Sequence, residues 1–288
     1  MKSLRCSVAG LEFANPLMLA SGTAGFGREL RGAMALERLG GLVTKAVSLT
    51  PRIGNKAPRV AEFRGGMINS VGLANPGAVQ VRQQELPWLQ ANLSGPRIIV
   101  NVVGFTIEEY ATVIEQLDDL EGHAAYEINL SCPNTSAGGV EFGADSRSIA
   151  EVVSRCRRVT ARPLFAKLSP ALPDIPLMAM AARDAGADGA SLVNTLPGFL
   201  FEGASPRLGN GFGGVSGPAL LATGLLAVRR TAERLPGFPL IGVGGIRGAT
   251  DVRDYLRAGA SLVAIGTAAL ADPHLPERLL TELEQHDG

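Results

Sequence analysis

Ala125-Tyr126-Glu127-Ile128-Asn129-Leu130-Ser131-Cys132-Pro133-Asn134 is the stretch whose reading decides the fold. An apolar run rises into it. Asn129, Ser131, Cys132 and Asn134 then fall within six residues, beside a proline that stops any regular continuation. This is the pattern of a buried strand delivering amides and a thiol to its carboxyl end.

Working outward, the same form recurs. Short, nearly continuous apolar runs occupy 17–20, 42–45, 98–103, 125–130, 164–168, 190–194, 240–243 and 262–265. Amphipathic segments at 29–39, 79–93, 107–117, 146–159, 175–185, 219–235, 250–258 and 276–285 are expected to be helices. Thr106, Asp145 and Asp174 stand as N-caps, and Gly186 closes the helix that Asp174 opens. Eight strand–helix units in 288 residues predict one domain, 1–288, an α/β fold of the (β/α)8 TIM barrel type. A doubly wound open sheet is the competing architecture. Two Gly- and Pro-rich excursions interrupt the alternation, 50–76 after the second strand and 196–216 after the sixth. Both are expected to pass over the barrel mouth, the first with a hairpin, and long ordered loops of this kind usually carry function.

The strand ends carry the functional signal. They are Ser21, Lys45, Asn101, Asn129, Lys167, Asn194-Thr195, Gly244-Gly245 and Gly266-Thr267. In a barrel all of them meet at one face, where such folds keep their active sites. A single Asn or Lys ending a strand is an ordinary solvated cap; this many converging polar ends are not.

Composition narrows the classes. Lys plus Arg and Asp plus Glu are 27 each, so no global field favours nucleic acid or an anionic membrane. Three cysteines (Cys6, Cys132, Cys156) make no disulfide framework, which suits a reducing, cytoplasmic location. The beginning Met1-Lys2-Ser3-Leu4-Arg5 is mildly basic, but Glu12, Asn15 and Pro16 interrupt what would be a signal-peptide core. No apolar run approaches the ~20 residues that span a bilayer.

Gly244-Gly245 after strand seven and Gly266-Thr267 after strand eight match the phosphate site of such barrels, so a phosphorylated ligand is expected. Lys45 and Lys167 each sit in an apolar strand and need an anion, either a protein carboxylate or a ligand. Asn69, Asn129, Asn134 and Asn194 could read a planar heterocycle with amide edges. None of the three histidines falls at a strand end, so the usual general base is missing and Cys132 is the titratable group left on the site loop. Cys6 and Cys156 read as small buried hydrophobes. Cys132 has no partners at zinc-ligand spacing, so no metal is expected.

The segments that carry a resemblance are Ala20-Ser21-Gly22-Thr23, Thr44-Lys45, Pro51-Arg52-Ile53-Gly54-Asn55, Asn69-Ser70-Val71-Gly72-Leu73-Ala74-Asn75-Pro76-Gly77, Asn129-Leu130-Ser131-Cys132-Pro133-Asn134, Lys167-Leu168-Ser169-Pro170, Asn194-Thr195 and Gly213-Gly214-Val215-Ser216-Gly217-Pro218. Together they resemble the class 1 dihydroorotate dehydrogenases over almost the whole chain. The continuation Gly138-Gly139-Val140-Glu141-Phe142-Gly143 is more similar to subclass 1B, the NAD-linked form, than to the fumarate-using 1A. The membrane-associated quinone class, with a serine base and an N-terminal extension, matches less well.

The resemblance implies an FMN-containing barrel that oxidises dihydroorotate to orotate in pyrimidine synthesis. It makes Cys132 the base at C5 while hydride passes from C6 to flavin N5. It puts Ser21, Lys45, Ala46, Asn101, Asn129, Lys167, Val193, Gly217, Gly244, Gly245, Gly266 and Thr267 on FMN, with Lys45 also catalytic. Lys45, Asn69, Ser70, Val71, Gly72, Leu73, Asn129, Asn134, Asn194 and Thr195 would hold the substrate. It further implies a homodimer core and a second subunit carrying FAD and an iron–sulfur cluster. This chain has neither a cysteine cluster of the iron–sulfur kind nor a strand–GxGxxG–helix nucleotide fold, so an NAD link implies another chain. Pro197 stands where the family usually has an aliphatic residue, and the loop to Asn210 reads as shortened, so the substrate lid or subunit contacts are expected to differ. Two other readings remain open: a flavoprotein acting on another dihydropyrimidine, such as dihydrouracil, and a non-catalytic ligand-binding barrel or assembly subunit.

Overall fold

The computed structural model describes residues 4–131, 133–134 and 140–286, with the backbone alone for 133–134, 140–141 and 286. Eight parallel strands close into a barrel in chain order: Leu17–Leu19, Gly41–Val43, Arg97–Val102, Ala125–Asn129, Leu164–Leu168, Gly189–Leu192, Leu240–Val243 and Leu262–Ile265. The last pairs with the first through Val263↔Leu17, so no edge is left open. The competing open sheet is excluded.

Side chains alternate across each strand, and in a closed barrel the two faces meet different partners. Outward residues such as Leu42, Val100, Ile128, Ala166 and Ile265 pack with the helices in one core. Inward residues Met18, Val43, Ile99, Ala125, Phe165, Ile241 and Leu262 form a second core inside the barrel. The hairpin Cys6–Val8/Leu11–Phe13 adds Val8 and Phe13 to that inner core, closing the end where the strands begin. Its turn holds Ala9 at φ 51 and Gly10 at φ 76, the twist that suits a two-residue hairpin.

Most expected helices form. Thr106, Asp145 and Asp174 each accept an N–H from their own first turn, at Glu109, Ser148 and Leu177. The helix expected over 29–39 does not form. Gly27 (φ 86) and Gly32 (φ 83) leave helical space, and only the 3-10 turns Arg28–Leu30 and Leu36–Arg38 remain. The helix expected over 79–93 is interrupted by a π turn, Val81–Glu85. Pro87 lacks the N–H that would bond Gln83, which is reason enough for the widened ladder. A short helix that the sequence reading did not place, Thr267–Ala271, follows the eighth strand.

The two excursions merge into one antiparallel sheet, with Leu196–Phe199 against Phe212–Ser216, that strand against Gly66–Asn69, and Gly66–Asn69 against Val60–Phe63. The expected hairpin is the last of these pairs. Asn75 pins the first excursion to the barrel. Its carboxamide accepts from the Ser48 and Gly77 N–H groups and donates to Ser48 Oγ and the Leu73 carbonyl.

Near the base of the fourth strand, buried His123 lies with Nε2 2.8 Å from the Tyr126 hydroxyl. Burial, helped by the Arg162 charge, pulls its pKa down to about 3. The unfolded imidazole takes a proton below ~6.5, whereas the folded one resists, so this contribution is complete above that pH and is lost as pH falls. Unfolding in urea is expected to give about 1–1.5 kcal/mol less stability at about pH 5.5 than at about pH 7.5, a window above the midpoints of ordinary carboxylates. His123→Gln should flatten that slope, and an unchanged slope in the variant would refute the assignment.

Candidate active site

The inner core is apolar only in its lower layers. Toward the carboxyl ends of the strands the same inward faces turn polar. Asn101 follows Ile99 at the two-residue period, Glu127 and Asn129 follow Ala125, Lys167 follows Phe165, and Ser191 follows Gly189. Asn101, Lys167 and Ser191 form a hydrogen-bonded cluster centred on Glu127, whose residue is 1% exposed. Glu127 Oε1 accepts from Asn101 Nδ2 at 2.7 Å and from Lys167 Nζ at 3.3 Å, and Oε2 accepts from Ser191 Oγ at 2.6 Å. The anion that Lys167 requires is therefore Glu127, one strand away. A buried ammonium and carboxylate held this way each satisfy what burial would otherwise make costly. Asn101 Oδ1 remains buried without a partner.

One layer higher, Asn129 joins the fourth strand to the sixth. Its Oδ1 accepts from Asn194 Nδ2 at 3.2 Å and from the Ser131 N–H at 3.3 Å. Its carbonyl accepts from the buried Tyr110 hydroxyl at 2.8 Å, which ties the strand end to the helix Ile107–Leu117. Asn194 in turn accepts from the Thr195 N–H at 2.8 Å. Val193, 2% exposed, bonds through its N–H to the Val243 carbonyl.

On the opposite arc, Ser21 donates to the Thr44 carbonyl at 2.9 Å, and the Lys45 N–H bonds the Gly25 carbonyl. Lys45 is half-buried, and among the described residues no hydrogen bond or ion pair holds its ammonium. Ala46 packs with Val103 and Leu73, which seats the segment 69–73 on the barrel. Asn55 steadies that segment by donating to Ser70 Oγ and to the Val71 carbonyl. Gly72 (φ 72) and Leu73 (φ 57) both take the left-handed conformation there. Asn69 donates to the Gly214 carbonyl at 3.3 Å, so the two excursions meet beside Thr195, whose Oγ1 lies where a Cβ on Gly214 would fall.

The glycine-bearing ends complete the ring. Gly244 (φ 124) and Gly245 (φ 76) follow the seventh strand, and a Cβ on Gly245 would lie 2.5 Å from the Leu221 nitrogen. Thr267 donates to Ser216 Oγ at 2.8 Å, and Gly217 and Gly266 lie in the same arc. Lys45, Asn69, Asn194, Thr195, Gly244, Gly266 and Thr267 are all partly exposed, whereas the strand bodies are buried. Partly open groups at the ends of the first, second, sixth, seventh and eighth strands thus meet the buried polar ends of the third, fourth and fifth at one mouth, able to hold a flat polar ligand with an anionic tail.

Cys132 lies outside the described residues. Of Asn134 only the backbone is described, pairing with Val140. Cys156 is fully buried and its thiol is pushed up to about 12 by desolvation; burial with the nearby Glu12 also raises Cys6, which sits in the hairpin at the opposite end of the barrel. Among the described residues there is no His, Cys, Asp and Glu group that could hold a metal. None of their helices is long and apolar enough to cross a membrane.

Sequence reasoning missed Glu127, Ser191, Tyr110, Asn55 and Asn75 as parts of this architecture. Glu127 was detectable, since it stands two residues before Asn129 and so shares its face. Asn55 and Asn75 lie inside the segments that carry the resemblance but were given no role there, and Ser191 and Tyr110 carry no local signal that separates them from ordinary polar residues.

Comparison with known proteins agrees with this arrangement. The family model described as Dihydroorotate dehydrogenase matches residues 3–286. The "Dihydroorotate dehydrogenase B (NAD(+)), catalytic subunit" of Citrifermentans bemidjiense is 44% identical over 282 residues, covering 97% of this chain and 92% of the relative. Proteins of the same name from Desulforudis audaxviator and Geobacillus kaustophilus are 45% and 42% identical, covering 97% and 98% of this chain and 91% and 90% of their own lengths. The chain belongs to the dihydroorotate dehydrogenase family.

Proposed function

We propose that this chain is the FMN-bearing catalytic subunit of a cytoplasmic, NAD-linked dihydroorotate dehydrogenase that oxidises dihydroorotate to orotate. The observation that carries the reading is the ring of strand-end groups, from Ser21 and Lys45 round to Gly266 and Thr267, about the Asn101–Glu127–Lys167 cluster. The subunit names of the relatives support the electron-transfer part of it.

The residues present suit FMN. Among the described residues nothing accepts from the Gly244 and Gly245 N–H groups, which leaves them for a phosphate, while a Cβ on Gly245 would meet the Leu221 backbone; Gly217, Gly266 and Thr267 lie in the same arc. Lys167 offers a fixed cation, and Asn101 Oδ1 is a buried acceptor still lacking a donor. Ser21, Lys45, Ala46, Asn129 and Val193 would complete the flavin contacts. When bound, FMN supplies the acceptor for the hydride that leaves C6 of dihydroorotate.

The chain's own residues supply the rest. Cys132 as thiolate takes the C5 proton, so the substrate loses one proton and one hydride and becomes orotate. Asn69, Ser70, Val71, Gly72, Leu73, Asn134, Asn194 and Thr195 would orient the ring and its carboxylate. Asn129, held by Tyr110 and Asn194, would face both substrate and flavin. Lys45, whose ammonium has no partner among the described residues, can stabilise negative charge developing in the transition state. A homodimer of this chain with an FAD and iron–sulfur subunit would carry the electrons to NAD.

Anaerobic mixing of the purified protein with dihydroorotate should bleach the flavin absorbance, and NAD alone should not restore it without the partner subunit. Absence of bound flavin, or no bleaching by dihydroorotate, overturns the reading. Cys132→Ala should keep FMN yet lose flavin reduction by ~10²–10⁴-fold, the usual worth of a general base, measured by stopped flow. With an ordinary thiol the wild-type rate should climb as pH rises through ~7–9, and a flat profile speaks against a thiolate in ordinary surroundings. Gly245→Ala should lower both stability, by about 2–4 kcal/mol, and FMN retention. Gly203→Ala, at φ 61 in open space, should leave FMN in place.

A further inference from the structure

The proposed chemistry makes no use of the most deeply buried charged group in the barrel. Glu127 gathers donors from the third, fifth and sixth strands: Asn101, Lys167 and Ser191. Its side chain is 2% exposed and that of Lys167 is 7% exposed. Stability alone does not call for this cluster. The layer below is filled by Ile99, Ala125, Phe165 and Ile241, and apolar side chains commonly replace a buried ion pair without loss. What the carboxylate does change is what its neighbours present. It tethers the Lys167 ammonium, cancels part of its field, and occupies the Asn101 amide N–H so that the Asn101 carbonyl is left over.

We propose that Glu127 is a positioning residue that sets how much positive charge Lys167 presents to the isoalloxazine ring, and through it the flavin reduction potential. This deepens the reading above and rests on it. In a low-dielectric interior a full negative charge beside Lys167 is felt strongly. It weakens the preference of the site for the electron-rich reduced flavin and so favours passing electrons onward. Taking away that charge while keeping the side-chain shape strengthens the field of Lys167.

The test is the midpoint potential of the FMN-loaded protein, read by dye-coupled titration of flavin absorbance. Glu127→Gln should shift the equilibrium toward reduced flavin tenfold or more, which is a rise of ~30 mV for a two-electron couple. Glu127→Asp retains the charge and should stay within threefold of wild type. Lys167→Met should shift the equilibrium the other way. The double variant Glu127→Gln with Lys167→Met buries no lone charge, so it gives a folded comparison even if a single variant does not fold. Because both charges go together, it should fall less than tenfold below wild type. An unchanged or lowered potential in Glu127→Gln, an equal shift in Glu127→Asp, or a fall beyond tenfold in the double variant overturns the role. Wild-type protein that takes up FMN with Glu127→Gln unmoved refutes this inference alone. Failure of the wild type to bind FMN at all refutes the proposed function and this inference with it.

Discussion

Every second side chain of a closed parallel barrel points into a narrow interior that only the protein itself can fill. That constraint organises the molecule. Here the interior is graded, with Met18, Ile99, Phe165, Ile241 and Leu262 in the lower layers and Asn101, Glu127, Lys167 and Ser191 above them. Apolar layers and the Val8–Phe13 floor hold the strands by burial. The polar layer is held by hydrogen bonds among groups that would each be costly alone. The site therefore stands on a packed base, and the strands fix its lower groups, Asn101, Glu127, Lys167 and Ser191.

Above that base the two excursions are not independent lids. They share one antiparallel sheet, so the Asn69 end of one is registered against Gly214 of the other. Asn75 and Asn55 anchor the first excursion through backbone bonds, and each lends its carboxamide to geometry that the segment 69–73 could not hold by itself. Tyr110 does similar work from the helical layer, reaching through the barrel wall to the Asn129 carbonyl. Positioning at the mouth is thus shared among the helices, the barrel and the overlying sheet.

Much of the barrel was legible in the chain. The apolar runs fall on the observed strands to within two residues at either end, because strands covered on both faces need continuous apolar sequence. The caps at Thr106, Asp145 and Asp174 act locally and were read locally. The expected helix over 29–39 failed for an equally local reason, since Gly27 and Gly32 adopt positive φ. The pairing of 196–199 with 212–216, and of that strand with 66–69, had no such signature. Strand pairing between segments some 145 residues apart, as for Asn69 and Gly214, is chosen by where the barrel delivers their ends.

The same division runs through the site. The sequence by itself determined which residue types close each strand, because a polar group after an apolar run has one natural place, the strand's carboxyl end. It also determined that Lys167 needs an anion, since burial makes a lone ammonium untenable. Only the tertiary structure decided that the anion is Glu127, that Asn101 and Ser191 complete its coordination, and that Lys45 is left half-buried with its ammonium unclaimed among the described residues. Those outcomes depend on barrel register, which sets Asn101 against Glu127 and Lys167 against Asn129. Register is a property of neighbouring strands closed into a ring, and no single stretch of sequence contains it.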